Sequence, residues 1–426
     1  MNATNSAARS NKNSYLLPMV IISSLFFIFG FVTWLNGILI PYLKIACQLT
    51  DFQALLVAFS FYISYTIMAL PSAWVLKKTG LKNGMMVGLW VMAIGTLIFI
   101  PAALTRTYIV FLLGLFVMGT GLAILQTASN PYVTIMGPQE SAAKRISILG
   151  ICNKAAGAVA PLILAYYILS DGDAFMASLN TMEEAAKIAA LDELAKRVIN
   201  PYIVMTVILF VLGIVVRLSG LPELEMESDE DENGDKIPSK NSIFGYPHLI
   251  LGVITLFFYV GVEVIAGDTI IRYGLSLGIE LDKAKAFTSY TMATMVIGYI
   301  FGIIMIPKYM TQRFALQMSA ILGIIFAFGA IFSSGFISVI FVALFGLSNA
   351  LVWPAVWPLA LHNLGKFIKT GSALLIMAIS GGAILPLIWG QLSDSFGSQN
   401  AYWIMIPGYL VILFYSIKGY KLKSWK

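Results

Sequence analysis

The chain has 426 residues, 59% of them hydrophobic and 11% charged, with a formal net charge of +6 and a mean hydropathy of +0.85. Soluble domains carry about 25% charged residues, so a water-exposed fold of this size is excluded and an integral membrane protein is expected. The positive charge belongs to loops beside a bilayer, not to a nucleic-acid surface, and Cys47 and Cys152 offer neither a disulfide framework nor metal-ligand spacing.

The first element follows the polar lead MNATNSAARSNKNSY. The apolar run after it is too long for a signal-peptide core and no small-residue cleavage site follows, so it is read as a membrane helix. Twelve spans are expected in all, at 15–46, 51–76, 84–104, 107–136, 145–170, 199–219, 246–277, 284–308, 314–333, 335–362, 369–392 and 399–419. Each reaches the ~20 residues that a helix needs to cross a bilayer. The alternation of barrel strands is absent, which leaves helices as the way to satisfy the backbone in lipid.

Between the sixth and seventh spans, LPELEMESDEDENGDKIPSK holds eight acidic residues. It lacks the ligand spacing of a calcium loop and reads as a solvated cytoplasmic tether at 221–245, between a six-helix bundle at 1–220 and another at 246–426. AAGAVAPLI at 155–163 echoes SGGAILPLI at 380–388, an offset of 225 that pairs the fourth and fifth spans with the tenth and eleventh. With the N-terminus inside, 18 of the 27 lysines and arginines fall on the cytoplasmic side, so both termini are expected there. The expected fold class is therefore an all-α membrane protein of twelve transmembrane helices in two pseudo-symmetric six-helix bundles. That is the architecture of the major facilitators, whose substrate site lies at the midplane between the halves.

Polar residues inside the spans mark candidate sites, because ionisable groups there cost ~2.5–3.5 kcal/mol near a helix centre. In LAILQTASNPYVTIMG, Gln126 and Asn130 share one face at i, i+4, while Pro131 frees a carbonyl near Thr127. Such carboxamides either glue helices together or offer donors and acceptors to a polyhydroxylated ligand. Asn36 lies in the first span, Asn153 and Lys154 in the fifth, and Glu263 and Asp268 in the seventh. Asp268 and Arg272 are spaced to pair with each other. Glu263, about 140° away round the helix, needs another partner, and Lys154 is at a compatible depth. Trp353 and Trp357, at i, i+4 in the tenth span, either pack beside Pro354 and Pro358 or present flat faces for a sugar ring. Ser380, Gly381 and Gly382 allow the eleventh span a close helix contact. No phosphate loop, nucleophile–base set or metal cluster is found, so neither a primary pump nor an enzyme is expected.

These stretches resemble the fucose–galactose–glucose/proton symporter family within the major facilitators, and most closely its bacterial glucose/galactose branch. The resemblance runs from SLFFIFGFVTWLNGILIPYLK through GLAILQTASNPYVTIMGP and YVGVEVIAG to GGAILPLIWGQLSD, nearly the whole chain. It implies a hexose substrate, alternating access and a bacterial inner-membrane location. Asn36, Asn130 and Asn153 match amide positions of the family pattern, and Glu263 matches an acid of the glucose/galactose type. Fucose-type members carry Asp where this chain has Gly37 and Glu where it has Gln126, while Lys154 replaces an expected small polar residue.

The expectation is a monomeric secondary transporter that needs no cofactor and carries glucose, galactose or fucose with a coupling proton or sodium ion. The expected substrate-binding residues are Asn36, Gln126, Asn130, Asn153, Glu263, Trp353 and Trp357, with Glu263, Lys154 and Asp268 for coupling. A sodium-coupled or uncoupled carrier is the alternative. A sugar-responsive sensor is a further one, against which the short termini and tether argue.

Overall fold

A chain this apolar must close its backbone hydrogen bonds within each segment, and among the described residues the regular structure is helical throughout. The structure, a computed structural model, describes residues 16–136, 142–222, 242–306 and 308–425. The polar N-terminal lead and most of the acidic tether lie outside them.

The helices are α1 (Leu16–Trp34), α2 (Asn36–Ala46), α3 (Asp51–Thr105), α4 (Tyr108–Ile135), α5 (Ala142–Ile168), α6 (Gly172–Leu179), α7 (Glu184–Lys196) and α8 (Ile199–Leu218). Beyond the tether come α9 (Pro247–Asp268), α10 (Ile270–Ser276), α11 (Leu281–Ala284), α12 (Phe287–Met305), α13 (Gln312–Phe332) and α14 (Gly335–Asn349). The chain ends with α15 (Val352–Leu361), α16 (Ile368–Met377), α17 (Gly381–Phe396) and α18 (Met405–Ile417). Among the described residues, eleven stretches are long and apolar enough to cross a membrane. One of them, Phe52–Thr105, holds the second and third predicted spans, joined at Gly80 with φ of +76°. Only a residue without Cβ takes that left-handed turn at little cost, and counting both arms gives twelve crossings. Leu218, Phe332 and Ile109 point outward, as side chains facing lipid should.

Close helix contacts rest on glycine, as in other membrane bundles. A Cβ on Gly30 would stand 1.8 Å from the Asn153 carbonyl oxygen, and one on Gly381 would stand 1.8 Å from that of Phe257. These two contacts bring α1 against α5 and the start of α17 against α9.

The segment between the fifth and sixth expected spans folds into α6 and α7. Asp173 on α6 caps α11 across the bundle, its carboxylate accepting from the Leu281 amide at 3.0 Å and the Asp282 amide at 2.8 Å.

Two spans are interrupted at points that matter for the site. The first breaks at Leu35, between α1 and α2, and the seventh at Thr269, between α9 and α10 (φ −99°, ψ −11°). The tenth is likewise divided before Val352, two residues short of Pro354.

Candidate functional site

Most of the polar residues predicted within the spans meet in a cavity of about 110 Å³. Helices from both sides of the tether build its walls. From α1 come Phe29 and Trp34, from α3 Tyr62 and Tyr65, from α4 Gln126 and Asn130, and from α5 Asn153 and Lys154. Opposite stand Tyr259 and Glu263 of α9, Tyr299 of α12 and Trp353 of α15.

Its electrostatic centre is an ion pair. Lys154 Nζ lies 2.8 Å from Glu263 Oε1, with both side chains 9% exposed. The Tyr259 hydroxyl, one turn before Glu263 on α9, donates to the same oxygen at 3.0 Å. The ammonium also sits over the Trp34 ring, 4.2 Å from its centroid. Each contact offsets part of the cost of taking these charges out of water. The pair ties α5 to α9 and so spans the two groups of helices. The sequence left open whether these two residues meet. They do.

The carboxamides divide between two uses. Gln126 Nε2 donates to the Tyr65 hydroxyl at 3.0 Å, and Asn130 continues the same wall one turn on. Asn153 is committed mainly to packing: it accepts from Trp34 Nε1 at 3.4 Å and donates to the Phe26 carbonyl at 3.3 Å. It therefore positions Trp34 beneath Lys154.

Trp353 faces the cavity, whereas Trp357 stacks behind it, with ring centroids 5.3 Å apart and only 2% of the residue exposed. One helical turn carries the second ring out of the wall and into the core. Asn36 and Asp268, each 1% exposed, also lie off the cavity lining. Both stand at helix breaks, Asn36 just after Leu35 and Asp268 just before Thr269.

Arg272 does not pair with Asp268 as its spacing permits. The interruption at Thr269 spoils the i, i+4 register, and the guanidinium turns to Asp394 Oδ1 at 2.7 Å and Ser393 Oγ at 3.3 Å, over the Trp389 ring. At Gly37 an added Cβ would lie 2.5 Å from Thr288 Oγ1. Thr288 thus fills the space that an acid at position 37 would need.

The sequence reading missed the tyrosines, which supply much of the polar rim. Tyr259 carried a usable signal, four residues before Glu263. Tyr62, Tyr65 and Tyr299 did not stand out among 19 tyrosines.

A family model described as Major Facilitator Superfamily matches residues 22–385. The glucose/galactose transporter of Brucella abortus biovar 1 (strain 9-941) is 37% identical over 420 residues, covering 97% of this chain and 96% of that protein. The L-fucose-proton symporter of Escherichia coli (strain K12) is 29% identical over 389 residues, covering 90% of this chain and 89% of that protein. The crystal structure of the transporter FucP in its outward conformation superposes with a TM-score of 0.75 at 27% identity, covering 95% of this chain and 98% of that one.

Proposed function

The chain belongs to the Major Facilitator Superfamily, in its fucose–galactose–glucose symporter family, and we propose that it carries glucose or galactose across the bacterial inner membrane by alternating access, in symport with a cation. The observation that carries this reading is the cavity itself. It is walled by aromatic rings and carboxamides, and bridged by one buried ion pair between the two groups of helices. Aromatic faces take the C–H faces of a sugar ring, and carboxamides both donate to and accept from its hydroxyls.

Release of the sugar requires the halves, 1–220 and 246–426, to rock apart around this cavity. The Lys154–Glu263 bridge then changes its surroundings, and a carboxylate whose partner comes and goes is suited to couple ion movement to sugar movement. The protein works as a monomer with both termini cytoplasmic, and it catalyses no covalent chemistry.

Two substitutions test the sugar wall. Gln126→Ala and Asn130→Ala should each weaken glucose or galactose binding to the purified protein, by about 1–3 kcal/mol for a sugar hydroxyl left without a partner. Thermal midpoints should stay near wild type. Unchanged affinity in both would return these residues to helix packing.

The tryptophan pair gives an optical test. Sugar should quench intrinsic fluorescence saturably, and Trp353→Phe should reduce that signal, because this ring faces the cavity, with Trp34 of the same lining supplying the remainder. Trp357→Phe should keep it, since that ring is screened behind Trp353. Equal quenching amplitude in wild type and Trp353→Phe would exclude Trp353 as a stacking platform.

A further inference from the structure

Three ionisable side chains are buried around the cavity, and their charges do not balance. Lys154 and Glu263 neutralise each other. Asp268, 1% exposed, has no hydrogen-bond partner on either carboxylate oxygen among the described residues. The nearby cations are engaged elsewhere, Lys154 by Glu263 and Arg272 by Asp394. A buried carboxylate left in that condition is among the most costly arrangements a fold can hold.

The backbone around Asp268 is treated quite differently. The break at Thr269 frees carbonyls, and hydroxyls take them up: Thr291 donates to Ala266 at 3.1 Å and Thr288 to Gly267 at 2.7 Å. Packing that answers these carbonyls leaves the one charged group unanswered.

Other oxygens around it are also unanswered. Neither end of the Asn36 carboxamide has a hydrogen-bond partner, nor has the Tyr62 hydroxyl. Tyr62 approaches Asn36 without completing a hydrogen bond and lies within electrostatic reach of both Asp268 and Glu263. The groups whose charges Asp268 senses are Glu263 of its own helix and Lys154 of α5. The C-terminus of α9 falls at Asp268 and adds its own negative potential there.

We propose that Asp268, Asn36 and Tyr62 form a buried site for one monovalent cation, held between the breaks of the first and seventh spans. Asp268 supplies the charge, and the Asn36 carbonyl and Tyr62 hydroxyl supply neutral oxygens, the hard donor set that such ions take. One positive charge leaves the trio neutral, whereas a divalent ion would strand a charge in the membrane. Na⁺ among the three oxygens and a proton on Asp268 satisfy the same requirement. As the seat of the coupling ion, the site rests on the transport reading. As a cation site it does not, and its test contains no sugar.

The test follows the thermal midpoint of the purified full-length protein in nanodiscs by tryptophan fluorescence. One arm exchanges choline for Na⁺ or K⁺ at constant pH and ionic strength, and the other lowers the pH with no Na⁺ present. The midpoint should rise saturably by a few degrees with Na⁺ but not K⁺ if the ion is sodium. It should rise on mild acidification, without Na⁺ dependence, if the ion is a proton. Asp268→Asn, isosteric and uncharged, should abolish whichever response wild type gives. Identical responses of wild type and Asp268→Asn in both arms would overturn the site. Should that variant fail to fold, Asn36→Ala decides. An apparent cation affinity weakened by about tenfold, ~1.4 kcal/mol, supports the site, and an unchanged affinity removes it.

Discussion

Lys154→Met should abolish concentrative hexose uptake and lower stability by about 3–5 kcal/mol, because it leaves Glu263 buried without its cation. The Tyr259 hydroxyl stays, but one neutral donor does not replace an ammonium at 2.8 Å. Glu263→Gln should also abolish accumulation, with a smaller stability loss, since Lys154 keeps its seat over the Trp34 ring. Sugar-for-sugar exchange should survive in the glutamine variant, which preserves side-chain shape and loses only the charge. The double variant should recover stability relative to Lys154→Met and remain uncoupled. Thermal midpoints and counterflow in proteoliposomes separate these outcomes. Wild-type accumulation by Glu263→Gln would remove the pair from the coupling mechanism and leave Asp268 to carry it.

The second large effect concerns packing. Gly30→Ala and Gly381→Ala should each cut yield and thermal midpoint sharply, because the new methyl meets a backbone carbonyl oxygen at 1.8 Å. Backbone cannot swing aside as a side chain does, so α1 must part from α5, or α17 from α9. Overpacking of this kind costs ~1–3 kcal/mol where the neighbour can adjust, and more is expected here. The Gly30 variant carries a functional consequence as well. It displaces Asn153, which holds Trp34 beneath Lys154, so sugar-dependent quenching should weaken along with stability. Gly220→Ala is the control, with its nearest neighbour, Leu17 Cδ2, at 3.9 Å. A midpoint equal to wild type in Gly381→Ala would contradict the close contact.

Much of the fold was legible because the bilayer imposes its own length and polarity rules. Apolar runs of the required length marked the spans, and Gly381 announced a close contact without naming Phe257 as the neighbour. The site was legible where burial makes a residue anomalous. Gln126, Asn130, Lys154 and Glu263 are costly in lipid, and all four line the cavity. What the sequence withheld depends on three-dimensional direction. Helical spacing could not tell that Trp357 turns behind Trp353. Nor could it tell that the interruption at Thr269 releases Arg272 from Asp268, since i, i+4 reasoning assumes an unbroken helix. α6 and α7 lie outside the twelve expected spans, in charge-rich sequence too polar to cross a bilayer, although Asp173 there caps α11 on the other side of the tether.

The central claim, hexose transport driven by a cation gradient, is tested most directly with the purified protein in proteoliposomes. Labelled glucose and galactose are supplied outside, and proton and sodium gradients are imposed separately. The account predicts saturable uptake that rises above the outside concentration under one of the two gradients and collapses when an ionophore dissipates it. Absence of saturable uptake under both gradients, together with absence of counterflow in vesicles preloaded with either sugar, would contradict it.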